Sequence, residues 1–132
     1  MVTIQSDNFS LAQICESGQC FRMTKYSDDR YGLVAFGKYL EMVQTGNSIC
    51  FDCTQEEFDT LWEAYFDLET DYAAIIAGID ANDAYLSAAA EYGRGIRILH
   101  QELWEMLISF LISQNNNIGR IQSSVRALCS RY

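Results

Sequence analysis

The sequence predicts an α+β fold in which an antiparallel sheet comes first and helices follow. Three observations carry this. Three or four short runs between residues 20 and 53 are rich in aromatic and β-branched residues and are separated by turn residues. After Thr54 the apolar residues adopt helical spacing. Near residue 70 the chain changes character, and the remainder reads as helix. The pattern divides the chain into a sheet-containing unit, 1–69, and the start of a helical unit, 70–132.

The elements follow in order. Ser10 and Gln13 form a capping-box pattern, which predicts a short helix near 11–15. Glu16-Ser17-Gly18-Gln19 then turns the chain. Strand-like runs occupy 20–26, 31–36, 39–45 and 48–53, punctuated by Ser27-Asp28-Asp29-Arg30, Gly37-Lys38 and Gly46-Asn47. Spacing this close implies an antiparallel meander, because a parallel pair needs a crossover of about a dozen residues or more. Thr54 and Glu57 form a second capping box, and Phe58, Leu61, Trp62 and Tyr65 share one helical face. Two short helices are expected at 71–78 and 83–92, the second stopped by Gly93. The segment 101–113 is apolar on nearly every side, as a helix with neighbours all round would be. It has one long partner in the chain, 118–132, whose expected buried stripe is Ile118, Ile121, Val125, Leu128 and Tyr132. Apolar surface is therefore left over, and self-association is expected.

Composition narrows the function classes. Hydrophobic residues make up 49% and there are 17 aromatics, enough for a packed core and incompatible with disorder. The formal charge of -9 argues against a simple basic nucleic-acid binder. That charge is uneven. Residues 1–93 carry sixteen acidic and four basic side chains, whereas 94–132 carry two glutamates and five arginines: Arg94, Arg97, Arg120, Arg126 and Arg131. Solvated surface arginine is the ordinary reading of such residues. The asymmetry still moves any polyanion contact to the last third. No basic leader or bilayer-length apolar run is present, so an intracellular location is expected, with no membrane partner.

Five cysteines, Cys15, Cys20, Cys50, Cys53 and Cys129, suggest reduced thiols in such a setting. Cys15…Cys20 and Cys50…Cys53 have spacings that a zinc site could use. Buried free cysteine is the favoured reading, so neither a metal nor another cofactor is expected.

The most unusual stretch is Ser113-Gln114-Asn115-Asn116-Asn117-Ile118. Three asparagines in a row suit a turn followed by an N-cap. They also present amide donors and acceptors beside a helix N-terminus, where free N–H groups favour phosphate, with Arg120 in the helix's first turn.

Here the residues resemble a family. Glu16-Ser17-Gly18-Gln19-Cys20-Phe21-Arg22 and Gln114-Asn115-Asn116-Asn117-Ile118-Gly119-Arg120-Ile121 are similar to two signature segments in the N-terminal half of 8-oxoguanine DNA glycosylases. Tyr65-Phe66-Asp67-Leu68 and Gly95-Ile96-Arg97-Ile98-Leu99 resemble segments between them, in the same order. The resemblance implies a sheet domain like that of the TATA-binding protein, followed by a helical helix-hairpin-helix glycosylase domain. It implies repair of oxidised guanine in duplex DNA, with the base flipped out and its glycosidic bond cleaved, and a bacterial cytoplasmic or nucleoid setting.

It also implies roles. Gly18 matches the glycine whose carbonyl accepts the N7–H of 8-oxoguanine, a donor that guanine lacks. Asn115 matches the residue that fills the gap left by the flipped base and contacts the orphaned cytosine, and Arg120 matches an arginine that reads that cytosine. Asn116 and Asn117 complete the DNA-binding loop, and Arg22 is structural. The family's nucleophilic lysine and assisting aspartate lie beyond the position matching Tyr132, so no catalytic residue is assigned. Lys25 and Lys38 match neither, and His100 is read as a contact or surface residue. The expectation is an N-terminal portion that recognises the lesion and is inactive alone. The alternative is a non-catalytic module that binds damaged DNA or another protein.

Overall fold

A computed structural model describes residues 1–131. The sheet has five strands: β1 (Val2–Gln5), β2 (Met23–Lys25), β3 (Arg30–Ala35), β4 (Lys38–Thr45) and β5 (Ser48–Phe51). Every pairing is antiparallel and the order across the sheet is β1-β5-β4-β3-β2. Strands β2 to β5 form the expected meander. The chain's start closes the far edge, with Val2 opposite Phe51 and Ile4 opposite Ile49. Strand β1 was not expected, although Val2-Thr3-Ile4-Gln5 alternates apolar and polar residues as a half-buried strand does.

The period-2 alternation puts Met23, Tyr31, Leu33, Leu40, Met42, Ile49 and Phe51 in the core. Register stacks them in rows. Met23, Leu33 and Leu40 are cross-strand neighbours, as are Tyr31, Met42 and Phe51. On the other face Gly32 leaves room for Tyr26 and Tyr39, whose hydroxyls lie 3.4 Å apart.

Helices cover the inner face. Helix α1 (Leu11–Glu16) buries Leu11 and Ile14. Ser10 caps it by accepting the Gln13 N–H, while the Gln13 side chain donates instead to the Tyr92 carbonyl. Next come α2 (Gln55–Glu57), a π-helical turn (Phe58–Trp62) and α3 (Glu63–Tyr65). Phe58, Trp62 and Tyr65 are buried and Leu61 is half-buried, as the spacing predicts. Thr54 accepts the Glu57 N–H, but the Glu57 carboxylate takes the Trp62 indole N–H rather than closing the capping box. Phe51, Phe58, Trp62, Tyr65 and Phe66 meet edge-on or tilted at the centre.

Four helices follow: α4 (Tyr72–Ala77), α5 (Ala84–Tyr92), α6 (Leu103–Ser113) and α7 (Ile118–Cys129). Helices α4 and α5 bury no residue fully. Helix α6 packs on α7 but leaves Leu103, Trp104, Met106, Leu107, Phe110 and Leu111 exposed. Of the stripe expected on α7, Ile121 and Val125 are buried, whereas Ile118 and Leu128 are 54% and 44% exposed. The stripe is thus narrower than its spacing suggests, because α6 covers only one side of it. Tyr132 lies outside the described residues.

The cysteines divide. Cys20 is buried, Cys15 and Cys53 are half-buried against the core, Cys50 is half-buried, and Cys129 is exposed, contrary to the buried reading. Burial pushes the Cys15, Cys20 and Cys53 thiols up from their ordinary pKa. Among the described residues no three His, Cys, Asp or Glu side chains gather as a metal-binding group. No described helix is long and apolar enough to cross a membrane.

Candidate nucleic-acid interface

Two loops meet on one side of the molecule. The first joins α1 to β2 and contains Gly18 at φ +76°, a left-handed conformation that suits glycine. A methyl group placed on Gly18 would lie 3.6 Å from Ile118 Cδ1, at the start of α7. The second loop is 114–117, between α6 and α7. The sequence-predicted residues Gly18, Asn115, Asn116, Asn117 and Arg120 are therefore on two neighbouring segments. A cleft of about 200 Å³ runs beside Gly18, with Phe21, Gln101, Met106 and Phe110 among its walls.

The three asparagines do different work. Asn117 is the N-cap of α7, its side-chain oxygen accepting the Arg120 N–H at 3.1 Å. The Asn116 side chain donates to the Ile112 carbonyl at 3.0 Å and accepts the Asn117 N–H at 3.0 Å. Both side chains are spent on shaping the turn. Asn115 sits at φ +50°, a conformation asparagine tolerates better than most residues, and is exposed. No described residue hydrogen-bonds its side chain, or the guanidinium of exposed Arg120. The turn thus fixes the backbone while leaving one amide and one guanidinium able to reach a partner. Helix α7 adds the N–H groups of its first turn.

The five C-terminal arginines are not equivalent. Arg94 pairs with Glu91, and Arg126 bonds back to the Gln122 carbonyl. Arg97 is only 5% exposed, so the reading of it as an ordinary solvated surface arginine is corrected. Its guanidinium donates to the carbonyls of Asn8, Asp67 and Thr70 at 3.1, 2.8 and 3.0 Å and lies 4.3 Å from the Tyr72 ring centre. Nothing in composition separates this arginine from the exposed ones. Its flanks offer a signal, since Ile96 and Ile98 leave Arg97 and Leu99 on the same side of an extended segment.

Asp67 is the acidic partner in this junction. Burial works against its charge, but hydrogen bonds from Thr70 and Tyr72, with His100 and Arg97 nearby, hold its pKa below the usual value. His100 is largely exposed and its Nε2 lies 3.5 Å from Asp67. Arg22 reaches Glu105 of α6 at 3.8 Å, so it ties the Gly18 loop's exit to the helical part. Burial raises the Glu105 pKa and Arg22 partly offsets that.

Comparisons of three kinds, with a family model, a curated relative and solved structures, agree. A family model described as the 8-oxoguanine DNA glycosylase N-terminal domain matches residues 1–107. An N-glycosylase/DNA lyase of Saccharomyces cerevisiae is 31% identical over 152 residues, covering 99% of this chain and 38% of the yeast protein. The Clostridium acetobutylicum 8-oxoguanine glycosylase/lyase in its apo form is 38% identical with a TM-score of 0.82, covering 89% of this chain and 41% of that one. The same enzyme with double-stranded DNA containing cytosine opposite 8-oxoguanine gives 34% identity and a TM-score of 0.83, covering 92% and 45%. The chain spans less than half the length of each.

Proposed function

The chain belongs to the 8-oxoguanine DNA glycosylase family, matched through its N-terminal domain, and from that premise we propose that it serves the repair of oxidised guanine in duplex DNA. The observation that carries the proposal is the meeting of the Gly18 loop and the Asn115–Arg120 segment at α7. The Gly18 carbonyl has no donor among the described residues. It would accept N7–H of the oxidised base and repel the lone pair of normal guanine. Asn115 would occupy the gap left by the flipped base, and Arg120 would donate to N3 and O2 of the orphaned cytosine. Asn116 and Asn117 hold the loop in shape for both. The boundary between the two units lies at 69–70, with 94–101 returning to pack on the first.

Replacing Asn115 by alanine is expected to weaken binding to a duplex with 8-oxoguanine opposite cytosine by about 1–3 kcal/mol, and to lower folding stability by only about 1 kcal/mol through the left-handed backbone at φ +50°. Fluorescence anisotropy reads the affinity and urea unfolding the stability. Equal affinities for wild type and Asn115→Ala would remove Asn115 from the interface.

Base removal with strand nicking needs an amine nucleophile at the sugar. Lys25 and Lys38 lie on the sheet and are ion-paired with Asp28 at 3.0 Å and Glu57 at 3.5 Å. The hydrogen bond to Asp28 raises the Lys25 pKa, moving it further from a neutral amine. No borohydride-trapped adduct is expected between these 132 residues and the 8-oxoguanine duplex. A trapped adduct would show that one of these lysines, or the chain's α-amine, can act.

The exposed face of α6 supports a second statement. Trp104, Leu107, Phe110 and Leu111 are 66%, 46%, 60% and 59% exposed on this one helix, and apolar side chains gathered in water favour association. The chain by itself is expected to associate, with a sedimentation mass that rises with concentration. A constant monomer mass would contradict this.

A further inference from the structure

We infer that Gln19 is the positioning residue for the Gly18 carbonyl, which it orients by clamping the segment 97–101. This rests on the reading of Gly18 as the lesion-sensing group. The geometry begins with the side-chain amide of Gln19. Its Nε2 donates to the Arg97 carbonyl at 2.9 Å, and its Oε1 accepts the Leu99 N–H at 3.0 Å. One primary amide thus takes the place that a neighbouring strand's N–H and C=O would occupy. The Gln101 side chain returns a bond at 2.7 Å to the carbonyl of Gln19 itself. Ser17 Oγ, which donates to the Ile14 carbonyl at 2.7 Å, also accepts from Gln19 Nε2 at 3.1 Å and ties the same residue to α1.

Gly18 needs such a hold. A glycine at φ +76° has no side chain to lock it, and its carbonyl swings with ψ. That carbonyl shares a rigid peptide plane with the nitrogen of Gln19. Fixing Gln19 by its side chain and its own carbonyl therefore fixes the plane from one end. The far side of the clamp is firm. Arg97 is bonded to three carbonyls, Leu99 belongs to the core, and the His100 N–H donates to the Tyr65 carbonyl at 2.9 Å. The segment then leads directly into α6 and on to the asparagine loop. Gln19 thereby sets both the direction of the Gly18 carbonyl and its distance from the loop that faces the opposite strand.

The test uses two duplexes of one sequence, with 8-oxoguanine or guanine opposite cytosine, and two readouts. One is the ratio of the two affinities; the other is amide hydrogen exchange at Leu99. Wild type is expected to prefer the oxidised duplex on the order of tenfold. In Gln19→Leu the ratio falls to about one while affinity for the guanine duplex stays within about twofold, and Leu99 exchanges roughly tenfold faster. Gln19→Glu keeps the acceptor for Leu99 and loses the donor to Arg97, so Leu99 stays protected and the ratio is intermediate. A folded Gln19→Leu that keeps the wild-type ratio, or keeps Leu99 protected, overturns the proposal. If Gln19→Leu does not fold, Gln19→Glu and Gln101→Leu decide it, and wild-type ratios in both overturn it. Wild type with no preference would instead refute the lesion-sensing role of Gly18, and Leu99 exchange then judges the clamp alone.

Discussion

Arg97→Met is expected to lower folding stability by about 3–5 kcal/mol, the largest effect of any single polar substitution in this chain. The guanidinium is buried and all its hydrogen-bond acceptors are main-chain carbonyls, those of Asn8, Asp67 and Thr70. Methionine fills much of the same volume and leaves the Asn8 and Asp67 carbonyls without a donor, while the Thr70 carbonyl keeps only the Tyr72 N–H. Each orphaned buried group costs about 1–3 kcal/mol, and the cation–π contact with Tyr72 is lost as well. Burial pulls the Arg97 pKa down, yet an arginine stays charged, so the site keeps its cation across the ordinary pH range. Lysine should recover only part of the loss, because one ammonium cannot reproduce the planar fork. Urea unfolding of the three proteins checks this. A methionine variant within about 1 kcal/mol of wild type would mean that the carbonyls find other donors.

The second large effect is expected at Gly95, at about 2–4 kcal/mol for Gly95→Ala. Its φ of +86° alone strains an alanine by roughly 1–2 kcal/mol. The surroundings add more. A Cβ there would meet Ser10 Cβ at 2.7 Å, the Ser10 nitrogen at 2.9 Å and the Phe9 carbonyl carbon at 3.1 Å. These are backbone or near-backbone atoms at the start of α1, and they cannot turn aside as a side-chain tip can. Moving them stretches the 2.8 Å bond from the Ser10 N–H to the Gly95 carbonyl. Gly37 supplies the control. It has φ +70° with nothing within 4 Å, so Gly37→Ala should show the strain without the collision. Thermal or urea unfolding should separate the two alanine variants clearly, and similar losses in both would mean that packing at Gly95 is looser than these distances imply.

The parts of this molecule that were legible in the sequence are those governed by local chemistry. The meander announced itself through aromatic runs and tight turns, and the asparagine loop through its composition. The helical face of Phe58, Trp62 and Tyr65 needed only spacing. What escaped depends on partners far along the chain. Strand β1 is four residues long with no turn beside it, and only its pairing with β5 makes it a strand. The run at 20–26 shrank to Met23–Lys25, with the Arg22 carbonyl still accepting the Val34 N–H while the Arg22 side chain turns to Glu105. Arg97 looked like its four neighbours in composition, since burial of a cation is decided by carbonyls at positions 8, 67 and 70. Glutamine in a turn carries no signal at all for the bonds Gln19 makes 78 to 82 residues away.

The placement of those same carbonyls has a consequence for how the chain can vary in length. Asp67 and Thr70 stand where the excursion through α4 and α5 leaves the body, and Arg97 stands just after it returns. The excursion is therefore tied shut at its base. Its two helices bury no residue fully, so little of the core depends on what it contains. Residues can be added or removed between α4 and α5, or a foreign segment spliced there, without the sheet or either candidate loop registering the change. Such a site suits a fluorescent reporter or an affinity handle.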